Sequence, residues 1–180
     1  TRSSGKVHVR YLEYAVAEDL AEVLRSLVTN MPAPDKEGKD KAAAATFIGL
    51  KNPAATASAG EKECACQLLN VPRPFDVLIL GMGADGHTAS LFPGASKLLR
   101  ATDTTATQTC MGIAPLTAPH ERMTLTLPAI LDSRQIFLHI TGQDKKNVLE
   151  QARADGPTEE MPIRFILRQQ TTPVSVYWAP

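Results

Sequence analysis

Val7, Val9 and Tyr11 alternate with His8 and Arg10, a period of two that predicts a β-strand over residues 7–14. The period then changes. Val16, Leu20, Val23, Leu24, Leu27 and Val28 recur at helical spacing, with Glu18, Asp19, Glu22 and Arg25 on the opposite face. This predicts an amphipathic helix packed on a sheet. Residues 29–43 carry neither period. Met31-Pro32-Ala33-Pro34 runs into the charge-dense stretch 35–41, the composition of a turn or linker. A short strand is predicted over 46–50 and a helix over 55–69, closed by Pro72 and Pro74. Residues 75–80 form a nearly continuous apolar run, which suits a central parallel strand buried on both faces.

Further strands are predicted over 110–114, 122–127, 135–141 and 174–178, with helices over 144–153 and 162–168. Strands alternating with helices give an α/β class: an open, Rossmann-like, mostly parallel sheet with helices on both faces. The length of 180 residues fits one domain. The 43% hydrophobic content is enough to bury a core without disulfides or metals. Nineteen basic and nineteen acidic residues cancel, so nothing points to a nucleic-acid or acidic-membrane partner. No apolar run reaches membrane-spanning length and no signal-peptide pattern is visible, so a cytoplasmic protein is expected. Cys64, Cys66 and Cys110 are odd in number and lack a framework spacing. They are read as reduced core or helix-surface residues.

The apolar run ends directly in Gly81-Met82-Gly83-Ala84-Asp85-Gly86-His87. In open α/β sheets, ligands bind beyond the carboxyl ends of the strands. Three glycines in six residues let the backbone turn sharply and approach a ligand. Ala89 and Ser90 lead toward a short helix whose first amides would face an anion. A bare Gly-x-Gly-x-x-Gly is weak evidence for a dinucleotide site. Here the strand lies mid-chain, and the loop carries Asp85 and His87 where a dinucleotide loop needs little but backbone. His87 is the candidate general base, because a histidine takes a proton near neutral pH. Asp85 is the candidate to orient it. The alternative is structural, with Asp85 capping the turn and His87 a satisfied loop residue.

Residues 81–94, ending Thr88-Ala89-Ser90-Leu91-Phe92-Pro93-Gly94, resemble the signature of 6-phosphogluconolactonases, within the group that includes glucosamine-6-phosphate deaminases. The deaminases continue instead with an Asn-Glu-Pro element, absent here. Residues 119–126, around Arg122-Met123-Thr124, resemble the family's Pro-x-x-Arg-hydrophobic-Thr strand. Gly142-Gln143-Asp144-Lys145 resembles its Gly-x-x-Lys element, and Pro162-Ile163-Arg164 with the final Val176-Tyr177-Trp178 resembles its C-terminus. The resemblance covers roughly residues 47–180. It implies hydrolysis of 6-phospho-D-glucono-1,5-lactone, without metal or cofactor. It also implies His87 as base, Lys145 on the 6-phosphate and Arg122 holding or supporting substrate. The backbone amides of the 81–86 loop, with Gly81, Gly83 and Gly86 as candidate substrate-binding residues, are read as the donors that stabilise the oxyanion. Read without the resemblance, Lys145 is a solvated helix residue and Arg122 a surface residue pairing with Glu121. Lys146 is expected to face solvent, Tyr177 and Trp178 to pack, and His8, His120 and His139 to be unremarkable.

The family also carries a Ser-Gly-Gly-[Ser/Thr]-Thr-Pro phosphate loop after its first helix, and an Asp-Glu-Arg element beyond it. Neither is present, and the linker near 29–45 is too short to hold them. Residues 1–180 are therefore read as one lactonase-like domain with an apparent missing segment near 29–45. Absence of those residues from this sequence, a shortened paralogue without activity and a deletion all remain open. The first is preferred, because losing a central strand exposes apolar edges. An inactive sugar-phosphate-binding paralogue and a deaminase-like enzyme are the alternatives in function. A monomer is expected, working beside or fused to glucose-6-phosphate dehydrogenase; the lack of an initiator Met permits the fusion.

Overall fold

The structure is a computed structural model that describes the backbone of residues 7–11 and, with side chains, residues 48–116 and 120–180. The helix expected over 16–28, the linker after it and the start of the strand expected over 46–50 lie outside the described residues. Within them, residues 48–50 form no strand. The elements run β1 (Val7–Tyr11), α1 (Glu61–Leu68), β2 (Leu78–Leu80), α2 (Leu98–Ala101), β3 (Cys110–Ile113) and β4 (Arg122–Leu125). They continue with α3 (Leu127–Leu131), β5 (Ile136–Thr141), α4 (Gln143–Arg153), α5 (Ile163–Arg168) and β6 (Val174–Ala179). Four strands form a parallel sheet in the order β1-β6-β5-β2, and β3 and β4 make a separate antiparallel pair. This is the α/β, mostly parallel architecture that the periodicity predicts.

Alternation in β5 and β6 sets the core. Ile136, Leu138 and Ile140 point one way and are buried, as are Val174 and Val176 beside them. Leu149 and Ala152 of α4, Ile163 and Ile166 of α5, and Ile130 of α3 join the same cluster. The other face of the sheet, with Phe137, His139 and Tyr177, is half-buried. A second, smaller cluster holds α1 against the β3–β4 pair through Cys64, Leu68 and Cys110.

Three expectations are corrected. Strand β2 is parallel and pairs with β5, but it is not buried on both faces: Leu78 is half-buried and Ile79 is 45% exposed. Its ladder to β5 holds three residues, and Phe75 makes only an isolated bridge to Ser133. Helix α1 starts at Glu61 rather than Ala55. The Asn52 side chain accepts from Ala54 N–H and donates to the Gly60 carbonyl, and Thr56 Oγ1 accepts from Ala59 N–H. These local bonds compete with helix. Finally, β4 stops at Leu125, because Thr126 and Pro128 begin α3.

Glu61 joins α1 to both clusters. Its carboxylate accepts from Gly112 N–H at 2.8 Å, Lys97 Nζ at 3.1 Å and Gln108 Nε2 at 2.9 Å. Burial pushes its pKa up, but those donors and the Lys97 charge outweigh it and hold it below the ordinary value. Cys64 and Cys110 are buried while Cys66 is exposed. Burial raises the Cys64 thiol, and burial with the neighbouring Cys64 and Glu61 pushes Cys110 up to about 12. The thiolate is the reactive form. Iodoacetamide at neutral pH is therefore expected to alkylate Cys66 in the folded protein and to reach Cys64 and Cys110 only after denaturation. Peptide mapping by mass spectrometry checks this.

Candidate active site

Strand β2 delivers its carboxyl end into the glycine loop. The loop closes on itself: Gly86 N–H donates to the Gly83 carbonyl at 3.1 Å, and Gly83 N–H to the His87 carbonyl at 2.8 Å. This brings the Asp85 and His87 side chains together, with His87 Nδ1 at 2.5 Å from Asp85 Oδ1. The same Asp85 oxygen accepts from His87 N–H at 3.1 Å. Gly83 makes the pairing sterically possible. A Cβ there would fall 2.0 Å from His87 Nδ1 and 2.6 Å from Asp85 Oδ1. Gly86 sits at φ +77°, in the left-handed region that glycine adopts without strain.

Partial burial pushes the Asp85 carboxyl up. The bonds from His87 N–H and the His87 ring, with the ring's charge, overcome this and hold it below the ordinary aspartate value. An ionised carboxylate only accepts, so in the neutral imidazole it is Nδ1 that carries the proton and the other ring nitrogen that holds the lone pair. That is the tautomer a general base requires.

Lys145 approaches from α4. It stands in the first turn of that helix, after β5 and Gly142, and its Nζ donates to the Met82 carbonyl in the glycine loop. A cation in a helix first turn is opposed by the helix dipole. The position becomes favourable when an anion lies beside it. Gly81, Gly83, His87 and Lys145 share the wall of one cavity of about 570 Å³, with Ala89 and Thr124 completing it.

Not every expected residue meets there. Gly86 is not on the cavity wall. It packs against Met161, and its carbonyl accepts from Ile163 N–H at 2.9 Å. The amides of Gly83 and Gly86 are spent inside the loop, so neither faces a ligand as an oxyanion donor in this arrangement. Residues 88–91 form a turn rather than a short helix, with Ala89 at φ +49°. The turn is held by Thr88 Oγ1 on the Gly81 carbonyl at 2.8 Å and by Ser90 N–H on Thr124 Oγ1 at 3.1 Å. Arg122 lines an adjoining cavity of about 830 Å³, with Lys51, Asn52 and His120. Glu121 does not take Arg122 as partner; its carboxylate accepts from Ser58 N–H and Ser58 Oγ. Lys146 is not simply in solvent: its Nζ lies 4.4 Å from the centre of the Trp178 ring, a cation–π contact. Among the described residues, no three His, Cys, Asp or Glu side chains gather as a metal-ligating group.

Two contacts escaped the sequence. The Met82 carbonyl as the partner of Lys145 has no signal in residue type. Phe92, whose ring centre lies 4.3 Å from that of His87, stood inside the signature run but carried no assigned role.

Fold and site together define an α/β protein with a cavity where parallel strands end, lined by His87, which pairs with Asp85, and by Lys145. Residues 13–178 match the glucosamine-6-phosphate isomerases/6-phosphogluconolactonase family, and the chain belongs to it. It is 42% identical to a 6-phosphogluconolactonase of Rhizobium meliloti strain 1021 over 142 residues, which are 79% of this chain and 61% of that protein. A 6-phosphogluconolactonase of Pseudomonas aeruginosa is 34% identical over 192 positions, spanning 99% of this chain and 79% of that protein. That alignment is longer than the 180-residue chain, so the relative carries residues that this sequence lacks. The crystal structure of a 6-phosphogluconolactonase from Shewanella baltica OS155 superposes with a TM-score of 0.73 at 48% identity, over 79% of this chain and 60% of that one. The chain thus spans about three-fifths of the Rhizobium and Shewanella proteins. Among the described residues, no helix is long and apolar enough to cross a membrane.

Proposed function

We propose that the chain hydrolyses 6-phospho-D-glucono-1,5-lactone to 6-phosphogluconate. The observation that carries this reading is that His87, paired with Asp85, lines the same cavity as Lys145. Asp85 fixes the tautomer, and His87 takes a proton from a water. The water oxygen attacks the lactone carbonyl carbon. As the tetrahedral intermediate collapses, the bond from that carbon to the ring oxygen breaks, and the imidazolium returns its proton to the leaving oxygen. The lactone is already electrophilic, so this chemistry asks for neither metal nor redox cofactor. Lys145 meets the phosphate dianion as a charge-assisted donor. Gly81 and Gly83 let the substrate approach the backbone closely, and Arg122 supports the substrate from the adjoining cavity.

The test is lactone hydrolysis by the purified chain. In Lys145→Gln, KM is expected to rise about 10–100-fold, the range of one hydrogen bond to a charged group, with kcat changed far less. An unchanged KM removes Lys145 from the phosphate site. A second reading, a sugar-phosphate-binding paralogue without turnover, is favoured by the missing Ser-Gly-Gly-type loop and by the chain's span of only 61% of its Rhizobium relative. Calorimetric binding of 6-phosphogluconate without lactone hydrolysis would establish it. The lactonase reading extends to a single monomeric domain over residues 1–180, acting in the cytoplasm beside or fused to the dehydrogenase that makes its lactone.

A further inference from the structure

We propose that Phe92 is a positioning residue that clamps the His87 imidazole from the core side while Asp85 holds its edge; this rests on the reading of His87 as the base. The rings of Phe92 and His87 lie 4.3 Å apart at 30°, a tilted stack. Phe92 is 7% exposed and belongs to the main core, and it is not on the wall of the cavity that His87 lines. Its ring therefore reaches that site only through the imidazole.

The contact follows from the turn after the loop. Thr88, fully buried, anchors on the Gly81 carbonyl, and Leu91 N–H closes on the Thr88 carbonyl at 2.9 Å. Ala89 takes the left-handed conformation between them. The chain reverses, and Phe92 returns beneath the residue five positions before it. Asp85 alone fixes one ring nitrogen and leaves the ring free to swing about that bond. A flat aromatic face against the ring removes the swing. The Arg122 guanidinium lies 5.9 Å from the centre of the Phe92 ring, near the outer reach of a cation–π contact, so Phe92 also links Arg122 to His87.

The experiment compares wild type, Phe92→Leu, Phe92→Tyr and His87→Ala in lactone hydrolysis, with NMR of the His87 ring. Phe92→Leu is expected to lower kcat about tenfold, since small misplacement of a reacting group is costly, and to leave KM within about twofold. Phe92→Tyr keeps the aromatic face and is expected to restore kcat. In wild type the His87 ring protons should be displaced upfield by the Phe92 ring current. Nitrogen-15 spectra should show one tautomer, protonated at Nδ1, in both proteins, while the His87 ring signals broaden as the ring gains mobility in Phe92→Leu. Should Phe92→Leu not fold, Phe92→Met fills more of the space and serves the same comparison, and the wild-type ring-current shift stands by itself. An unchanged kcat in a folded non-aromatic variant, or no ring-current shift in wild type, overturns the clamp. Absence of wild-type turnover, or full activity in His87→Ala, overturns the lactonase reading instead. The clamp is then judged on the NMR readouts alone.

Discussion

Replacing His87 with alanine is expected to lower kcat/KM for lactone hydrolysis about 10²–10⁴-fold, the range a positioned general base supplies. The loss should fall on kcat, because the imidazole acts on the water and Lys145 still holds the phosphate. The fold should survive, since His87 is part-exposed in a loop whose closing bonds are made by backbone. The variant also has a readout independent of turnover. The His87 N–H and ring are what hold the Asp85 carboxyl down against its partial burial. Without the ring, the carboxyl keeps the residue-87 N–H but loses the ring's hydrogen bond and charge, so its pKa should climb. The sign for stability follows. A depressed folded pKa stabilises the protein above the ordinary aspartate range, and that contribution is lost as pH falls through the folded value. His87→Ala should therefore lack part of this contribution above the ordinary aspartate range and lose less stability than wild type on acidification through it. A rate within a few-fold of wild type in the folded variant removes His87 from the chemistry.

The core strands and the loop were legible in the sequence because each rests on a local signal. Ile136, Leu138 and Ile140 alternate with Phe137 and His139, and the burial follows that alternation. The loop declared itself by three glycines directly after an apolar run. What escaped depends on geometry that residue type does not encode. Phe92 meets His87 only because Ala89 adopts a positive φ and turns the chain back. The amides of Gly83 and Gly86 looked free for a ligand, yet the loop consumes them in closing. Gly83 is required for a reason beyond ligand approach: a side chain there would displace the imidazole. Strand β2 reads as buried on both faces from its apolar content, yet Ile79 is 45% exposed.

Replacing Arg164 with methionine is expected to cost about 3–5 kcal/mol of stability, since one buried and two part-buried carbonyls lose their donor together. For a chain of this size that is a fall in melting temperature of roughly 10 °C. Arg164 is 6% exposed, yet its hydrogen-bond partners are backbone carbonyls and not a carboxylate. Its guanidinium donates instead to the carbonyls of Gln151 at 3.0 Å, Ala152 at 3.3 Å and Pro157 at 2.8 Å. Gln151 and Ala152 are the last residues but two and one of α4, so the charge sits where helix carbonyls lack partners and the dipole is negative. Gly156 leaves room for it, since a Cβ there would lie 2.6 Å from the guanidinium. Arg168 makes similar bonds to Ala154 and Gly156 in the open, and Arg168→Ala should cost far less. Arg164→Lys keeps the charge but not the fork, and should recover only part of the loss. The sequence carried Pro162-Ile163-Arg164 as a family resemblance without a role. The structure gives Arg164 the task of closing the far end of the helix that presents Lys145. A thermal melt of Arg164→Met within about 2 °C of wild type would deny it that task.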